Sequence, residues 1–469
     1  MRKVKIVCTL GPSTEGPARL AELIAAGMDV ARLNLSHGDR ESHLRAYRDL
    51  RAAAAAADRP VAALFDLGGP KIRVGAMKDG AVRLERGARV RLTSEPVLGT
   101  AERISHSYVP LARDVKVGEP ILLDDGLFKL EVESVVGADV VCRVVDGGLL
   151  KDRKGMNLPG SKLSVPALTE KDRQDIDFAR ELGADYIAIS FVRRPEDVLE
   201  AKALAGEIPV IAKIEKPEAV ERLQDILDVA DGAMVARGDL GVEAGHEKVP
   251  LIQKKIIRDV KVRAKPVITA TQMLDSMIQN PRPTRAEVSD VANAVIDGTD
   301  AVMLSGETSV GAWPVEAVRT LTAIIGEIEG HPDGLSCLKP PDVRERTFSR
   351  SIADAAAEVA RNLGLAALAI YTESGHSAAL VSAHRPVANI VAFSRHQRVL
   401  NRLALYWGVL PLYGEWVHGV EGVVRQAEAK LRKYGMVRPG DDIAVTFATQ
   451  VGDEPFQTNV LKLWKVTAE

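Results

Sequence analysis

Lys213 and Glu215 stand two residues apart at the end of the apolar run Val210 to Glu215, and Asp239 closes the next such run, Ala233 to Asp239. In an extended strand, residues i and i+2 point to the same face about 6–7 Å apart, so a cation and a carboxylate would meet one substrate together. Carboxylates on neighbouring strands suit Mg²⁺ or Mn²⁺, because a hard cation often takes one or two protein carboxylates and completes its shell with water and substrate oxygens. A plain ion pair at a strand end is the competing reading. Arg32 and Arg73 frame the same region, and their forks suit phosphate or carboxylate oxygens, although surface salt bridges would also occupy them. The glycines of Arg237-Gly238-Asp239-Leu240-Gly241 would let backbone N–H groups approach an anion closely. Thr271 and Ser305 end two further runs and could bind a carboxylate, pass a proton or cap the following helix. One lysine, two arginines, a divalent metal and few apolar residues suit a small, strongly anionic substrate in phosphoryl transfer or enolate chemistry.

These residues share a position in a repeating pattern. Eight near-continuous apolar runs recur: Val4 to Thr9, Val30 to His37, Val61 to Asp66, Tyr186 to Phe191, Val210 to Glu215, Ala233 to Asp239, Val267 to Gln272 and Val302 to Glu307. Such runs separated by helix-period segments predict parallel strands covered by helices, and eight units close a (β/α)8 barrel whose active site lies at the carboxyl ends of the strands. About 90 residues, Gly69 to Ser161, interrupt the barrel with short alternating strands and turns such as Asp124-Asp125-Gly126, which reads as an inserted β lid domain. Helical patterning resumes at Thr169, whose spacing to Asp172 marks a capping-box start. A Gly- and Pro-containing linker, Gly330 to Pro341, precedes helices such as Ile352 to Leu363 and apolar runs ending at Thr372, Ser394, Gly414 and Thr449, the pattern of an open α/β sheet. The expected division is an α/β chain with a catalytic barrel over 1–69 and 162–334, a β lid over 70–161 and a C-terminal α/β regulatory domain over 335–469.

The composition is that of a large globular protein. The chain has 469 residues, 46% of them hydrophobic, enough for several cores and about three domains. Lys plus Arg (62) nearly cancel Asp plus Glu (64), which gives no electrostatic case for nucleic acid or a membrane surface. Cys8, Cys142 and Cys337 show no CxxC spacing, so no disulfide framework or zinc site is expected, and a reducing cytoplasm fits. No apolar span is long enough for a membrane helix or an export signal.

Thr9-Leu10-Gly11-Pro12-Ser13, Arg32-Leu33-Asn34-Leu35-Ser36-His37-Gly38, Lys213-Ile214-Glu215, the run Met234 to Glu243 and the stretch Thr269 to Val295 occur in this order, and with them the sequence resembles the pyruvate kinase family along nearly its whole length. It implies transfer of the phosphoryl group of phosphoenolpyruvate to ADP, then protonation of enolpyruvate to pyruvate. By position, Lys213 would stabilise the migrating phosphoryl group while Glu215 and Asp239 hold Mg²⁺ or Mn²⁺. Arg32 would grip the phosphate, Gly238 and Asp239 would offer backbone N–H groups to the carboxylate, and Thr271 would bind it and help the proton reach the enol. Ser305 and Glu307 would complete the proton-relay region. Arg73 and Lys154 would contact the nucleotide phosphates with His37 nearby, under a water-excluding lid. The resemblance further implies a cytoplasmic homotetramer.

Two departures from the family stand out. Many members read Asp-Thr-Lys-Gly-Pro-Glu-Ile-Arg where this chain reads Asp66-Leu67-Gly68-Gly69-Pro70-Lys71-Ile72-Arg73. K⁺-requiring members hold the ion among residues matching Asn34, Ser36 and Asp66 and the threonine that is Leu67 here. Leu67 offers only its carbonyl and Lys71 brings a fixed positive charge, so K⁺ is not expected to be required. In the C-terminal domain, Thr372-Glu373-Ser374-Gly375-His376-Ser377 follows a strand and precedes a helix, the geometry of a phosphate nest. The equivalent family loop binds a sugar-phosphate activator, with His376 here where arginine is common, and a plain Ser/Gly turn is the alternative. Other phosphoenolpyruvate-using barrel phosphotransferases and lyases lack the inserted β-domain, and a sugar-phosphate-sensing non-enzyme would have lost catalytic residues, none of which is missing.

Overall fold

Period-2 geometry and near-continuous apolar composition place the eight predicted runs in one closed parallel barrel. The computed structural model describes all residues except 162, 332–346, 416, 418, 450–456 and 468–469. The barrel begins with β1 (Lys5–Thr9), β2 (Val30–Asn34) and β3 (Ala62–Asp66). Eight strands then stand outside it: β4 (Ala81–Leu84), β5 (Arg89–Thr93), β6 (Arg103–Ser105), β7 (Pro120–Leu123), β8 (Phe128–Val136), β9 (Asp139–Asp146), β10 (Gly148–Lys151) and β11 (Met156–Asn157). They form a two-stranded sheet, β10-β4, and a six-stranded sheet, β11-β7-β8-β9-β5-β6, around their own apolar cluster that includes Leu92, Ile121 and Leu130. The barrel resumes with β12 (Tyr186–Ile189), β13 (Val210–Ile214), β14 (Gly232–Ala236), β15 (Val267–Ala270) and β16 (Ala301–Leu304), closing in the order β1-β16-β15-β14-β13-β12-β3-β2.

Alternation along these strands determines what reaches the mouth. Val30, Leu64, Ala188, Ile211 and Met303 pack together inside the barrel, while Ala31, Phe65, Ile187, Ala212 and Val302 join the cluster beneath the surrounding helices. One further step of two residues from each inward position reaches Arg32, Asp66, Ser190, Lys213 and Ser305. The inner columns are apolar in the middle and end in chemistry at the carboxyl rim, as the barrel architecture requires. The helix Glu170–Leu182 starts as expected, with Thr169 accepting the Asp172 N–H in a reciprocal capping box.

The C-terminal sheet contains β17 (Ala367–Tyr371), β18 (Asn389–Ser394), β19 (Val409–Tyr413), β20 (Asp442–Phe447) and β21 (Val460–Lys465), ordered β19-β18-β17-β20-β21. β21 pairs antiparallel with β20 at the edge and is absent from the sequence reading, because Val-Leu-Lys-Leu-Trp-Lys is half exposed and lacks a continuous apolar run. The helix expected from Ile352 begins at Phe348, where Thr347 accepts the Arg350 N–H as its cap. Of the expected linker, residues 332–341 lie outside the described residues, as do Cys337 and the 334/335 boundary. Leu405 joins the layer inside the barrel, and Lys5 Nζ donates to the Val409 carbonyl at 2.7 Å, so the C-terminal sheet docks against the end opposite the rim.

Candidate active site

The rim is organised around Asp66, which is fully buried on the inward column of β3. Its Oδ2 accepts Arg32 Nε at 2.7 Å, and its Oδ1 lies 3.3 Å from Lys213 Nζ. Arg32 Nη1 also donates to Thr9 Oγ1 at 3.0 Å, so two bonds fix the guanidinium plane across the mouth. Lys213 Nζ donates to Ser190 Oγ at 2.7 Å and lies 2.9 Å from Glu215 Oε1, and Ser190 donates onward to the Leu67 carbonyl at 2.9 Å. Burial alone would depress the Lys213 ammonium. Asp66 and then Glu215 outweigh it, and the amine stays charged above the usual lysine range. Burial likewise opposes ionisation of Asp66, but Lys213 and Arg32 hold its carboxyl below the usual value.

Asp239 corrects the sequence reading. β14 ends at Ala236, and Asp239 occupies the first turn of the helix Arg237–Ala244 instead of ending a strand. Burial, followed by the charge of Glu215, pushes its carboxyl up to about 6. Glu215 Oε2 accepts the Phe191 N–H at 2.9 Å, whereas its Oε1 is buried with no hydrogen-bond partner besides the ion pair to Lys213. Two carboxylates that repel each other, one with an uncommitted oxygen, fit a divalent cation. No group of three or more His, Cys, Asp or Glu suited to a metal exists among the described residues, so substrate oxygens and water would fill the remaining positions.

Thr271 adopts a left-handed backbone with φ 68°, followed by Gln272 at 53°. Arg237 braces this turn by donating to the Thr271 carbonyl at 2.6 Å, while its other edge pairs with Asp290 at 2.6 Å. Thr271 Oγ1 accepts the Gly238 N–H at 2.8 Å and donates to the Ala270 carbonyl at 2.7 Å, so the Gly238 donor expected for a substrate carboxylate already has a partner here. Ser305 makes no side-chain cap bond to the short helix behind it. Buried Glu307 accepts the Leu274 N–H at 3.0 Å and the Ser305 N–H at 2.7 Å, tying the Thr271 and Ser305 loops together, and burial raises its carboxyl.

Beside this rim, a 280 Å³ cleft between the barrel and the inserted strands brings together His37, Lys71, Arg73, Lys154 and Asp239. Lys154 pairs with Asp124 at 2.9 Å and Arg73 donates to the Arg153 carbonyl at 3.1 Å. Burial, Lys71 and Arg73 hold the His37 imidazole below its usual value. The Lys71 side chain is open to solvent, yet the protein around it and the charge of Lys213 lower its ammonium against the pull of Asp239, Glu215 and Asp66. Asn34 Oδ1 accepts the Ser36 N–H at 3.2 Å, and a Cβ on Gly68 would meet Ser36 Oγ at 3.2 Å. Far from the rim, Thr372, Ser374, His376 and Ser377 line a separate 310 Å³ cavity of the C-terminal sheet, where Thr372 Oγ1 accepts the N–H of Gly375 at 2.9 Å. Gly375 has φ 91°, a left-handed conformation that suits glycine.

Sequence reasoning missed several participants. Counting in twos along β12 would have found Ser190. Arg237 with Asp290, and Lys216 with Glu243 and Asn157, carry no spacing signal because their partners come from distant segments.

Two family models match the chain: "Pyruvate kinase, barrel domain" over residues 1–318 and "Pyruvate kinase, alpha/beta domain" over 350–464. Similar proteins include a pyruvate kinase of Geobacillus stearothermophilus, 48% identical over 472 residues covering 98% of this chain and 80% of the relative. Another from Bacillus licheniformis is 46% identical, covering 99% and 81%. A third, from Staphylococcus aureus strain MRSA252, is 45% identical, covering 100% and 81%.

Proposed function

The chain belongs to the pyruvate kinase family and is a phosphotransferase that turns phosphoenolpyruvate and ADP into pyruvate and ATP in glycolysis, and we propose that it does so with the rim built on Asp66, Lys213, Glu215 and Asp239. The carrying observation is Lys213 held charged between two carboxylates and beside a third. An ammonium fixed in a buried mouth stabilises negative charge on a phosphoryl group in transit and needs no reorganisation to do so. Arg32, its plane fixed by Asp66 and Thr9, holds the substrate phosphate. Glu215 and Asp239 would hold Mg²⁺ or Mn²⁺, which would supply Lewis-acid charge to the substrate's oxygens. Thr271 binds the carboxylate, which requires its bond from Gly238 to yield or be shared. Thr271 and Ser305, on loops joined by Glu307, then conduct a proton to the enol carbon. Arg73, Lys154 and His37 receive the ADP phosphates, and the inserted strands exclude water during transfer.

Lys71 supplies the positive charge that other members obtain from K⁺. Its ammonium feels the charge of Asp239, Glu215 and Asp66, and Asp66 matches a residue of the family's K⁺ site. The Thr372 to Ser377 loop receives a sugar phosphate that activates the enzyme, within a homotetramer in the cytoplasm. Among the described residues, no helix is long and apolar enough to cross a membrane. A coupled assay for pyruvate, with phosphoenolpyruvate, ADP or Mg²⁺ omitted in turn, tests the reaction. Product formation must need all three.

A further inference from the structure

Glu243 lies at the end of the helix that carries Asp239, and its side chain is buried. Oε1 receives two donors from different parts of the chain. Lys216 Nζ comes from the loop directly after Glu215, and Asn157 Nδ2 at 2.8 Å comes from β11 in the inserted β region. The Lys216 ammonium sits over the Phe191 ring, 5.7 Å from its centre, and Phe191 is the residue whose N–H fixes Glu215. Nearby, a Cβ on Gly126 of the insert would lie 3.8 Å from Val242. Asn157, Lys216 and Glu243 line the same cleft as Arg73, Lys154 and Asp239.

A buried carboxylate with one ammonium is a neutralised pair, but a second donor on the same oxygen adds a bond that exists only while its strand is docked. Lys154 lies three residues before Asn157 along the chain. Whatever fixes Asn157 against the barrel therefore also fixes the nucleotide-facing cations of the insert, whereas Arg32, Lys213, Glu215 and Asp239 belong to the barrel and do not depend on it. We infer that Glu243, charge-balanced by Lys216, is a latch that receives Asn157 and sets the docked position of the inserted domain over the rim, making Glu243 and Asn157 positioning residues for ADP. This rests on the phosphotransferase reading above.

Asn157→Asp brings a second carboxylate against Glu243 with one ammonium between them. The expected result is a roughly tenfold rise in KM for ADP, the equivalent of one charge-assisted hydrogen bond, with KM for phosphoenolpyruvate changed by less than about twofold. Combining Asn157→Asp with Glu243→Gln restores a donor facing a carboxylate beside Lys216. It should bring KM for ADP back to within about threefold of wild type, a recovery that lost packing would not give. Docking is read separately by distances between spin labels at Val117→Cys on the insert and Leu199→Cys on the barrel. Both positions are exposed, native Cys8 and Cys142 are buried, and Cys337→Ser removes the remaining thiol. Asn157→Asp should shift the distribution to longer distances and the double variant should shift it back. If Asn157→Asp does not fold, Asn157→Ala must move both readouts in the same direction. Unchanged ADP KM and unchanged distances overturn the latch. A wild type inert toward phosphoenolpyruvate and ADP overturns the parent reading instead, and the label distances still decide the latch.

Discussion

Replacing Lys213 with methionine keeps most of the length of the unbranched side chain and deletes the charge on which the rim is balanced. Nζ lies 2.9 Å from Glu215 Oε1 and 3.3 Å from Asp66 Oδ1. At an effective dielectric constant near 20, each contact is worth about 5–6 kcal/mol of Coulomb energy, offset by the cost of taking the ammonium out of water. Removing one partner of a buried pair typically costs about 3–5 kcal/mol, and Glu215 bears most of it because Asp66 keeps Arg32. The variant should therefore unfold at lower denaturant, and Mg²⁺ should restore part of the loss by occupying the freed carboxylate. Phosphoryl transfer should fall by about 10²–10³, the usual cost of deleting one preorganised group that stabilises transition-state charge. Metal-dependent exchange of pyruvate methyl protons, followed by NMR in D₂O, should remain within about tenfold, because the metal and the Thr271 and Ser305 loops are untouched. Near-normal transfer, or exchange falling in step with transfer, would refute the role assigned to Lys213.

Glu215→Gln and Asp239→Asn should each raise the Mg²⁺ needed for half-maximal rate by at least about tenfold, and an unchanged metal titration in both would remove them from the site. Turnover should be the same in KCl and in a tetraalkylammonium salt at equal ionic strength, while Lys71→Glu should create a K⁺ requirement, incomplete because Leu67 lacks a hydroxyl; a large drop in wild-type rate without K⁺ would show that Lys71 has not replaced the ion. A sugar phosphate should lower the half-saturating phosphoenolpyruvate concentration, and acidic replacements at Ser374 and Ser377 should abolish that effect while sparing basal turnover; a panel of sugar mono- and bisphosphates without effect would leave the loop a turn. Burial lowers both Lys3 and Lys5 to about 8 from 10.5, so between these values the unfolded chain keeps protons the folded chain has shed and stability should rise with pH, by up to about 3 kcal/mol for each. Lys5→Met should remove about half of that rise in denaturation midpoints measured between roughly pH 8 and 9.5, and an unchanged slope would contradict the assignment.

Legibility in the sequence followed the range of the forces involved. The eight barrel strands were readable because burial on both faces demands continuous apolar runs, and the inward column of each run carries its last member to the rim. Lys213 was found from its strand spacing to Glu215, Arg32 from a guanidinium placed at the same rim, and Asp66 only through the family resemblance. The place of Asp239 was misread because Arg-Gly-Asp-Leu-Gly contains nothing that separates a strand end from a helical first turn. β21 was hidden by its exposure at a sheet edge. The contacts that join segments, Asn157 with Glu243 and Arg237 with Asp290, span 86 and 53 residues and leave no periodic trace.

Charge counting connects the readable rim to its departures from the family. Arg32, Lys71 and Lys213 face Asp66, Glu215 and Asp239, three cations against three carboxylates. A glutamate at position 71 with one K⁺ beside it contributes zero net charge to that count, whereas Lys71 alone contributes one positive charge. If Lys71 takes the place of the ion as proposed, the rim would be one unit more positive than the arrangement it replaces. A stronger hold on an anionic substrate would follow, screened by salt only in part because two of the three cations are buried. The same excess explains why Lys71 can remain open to solvent. A fully buried third ammonium would face desolvation as well as Lys213, and the exposed position moderates both costs while leaving its charge directed at the carboxylates.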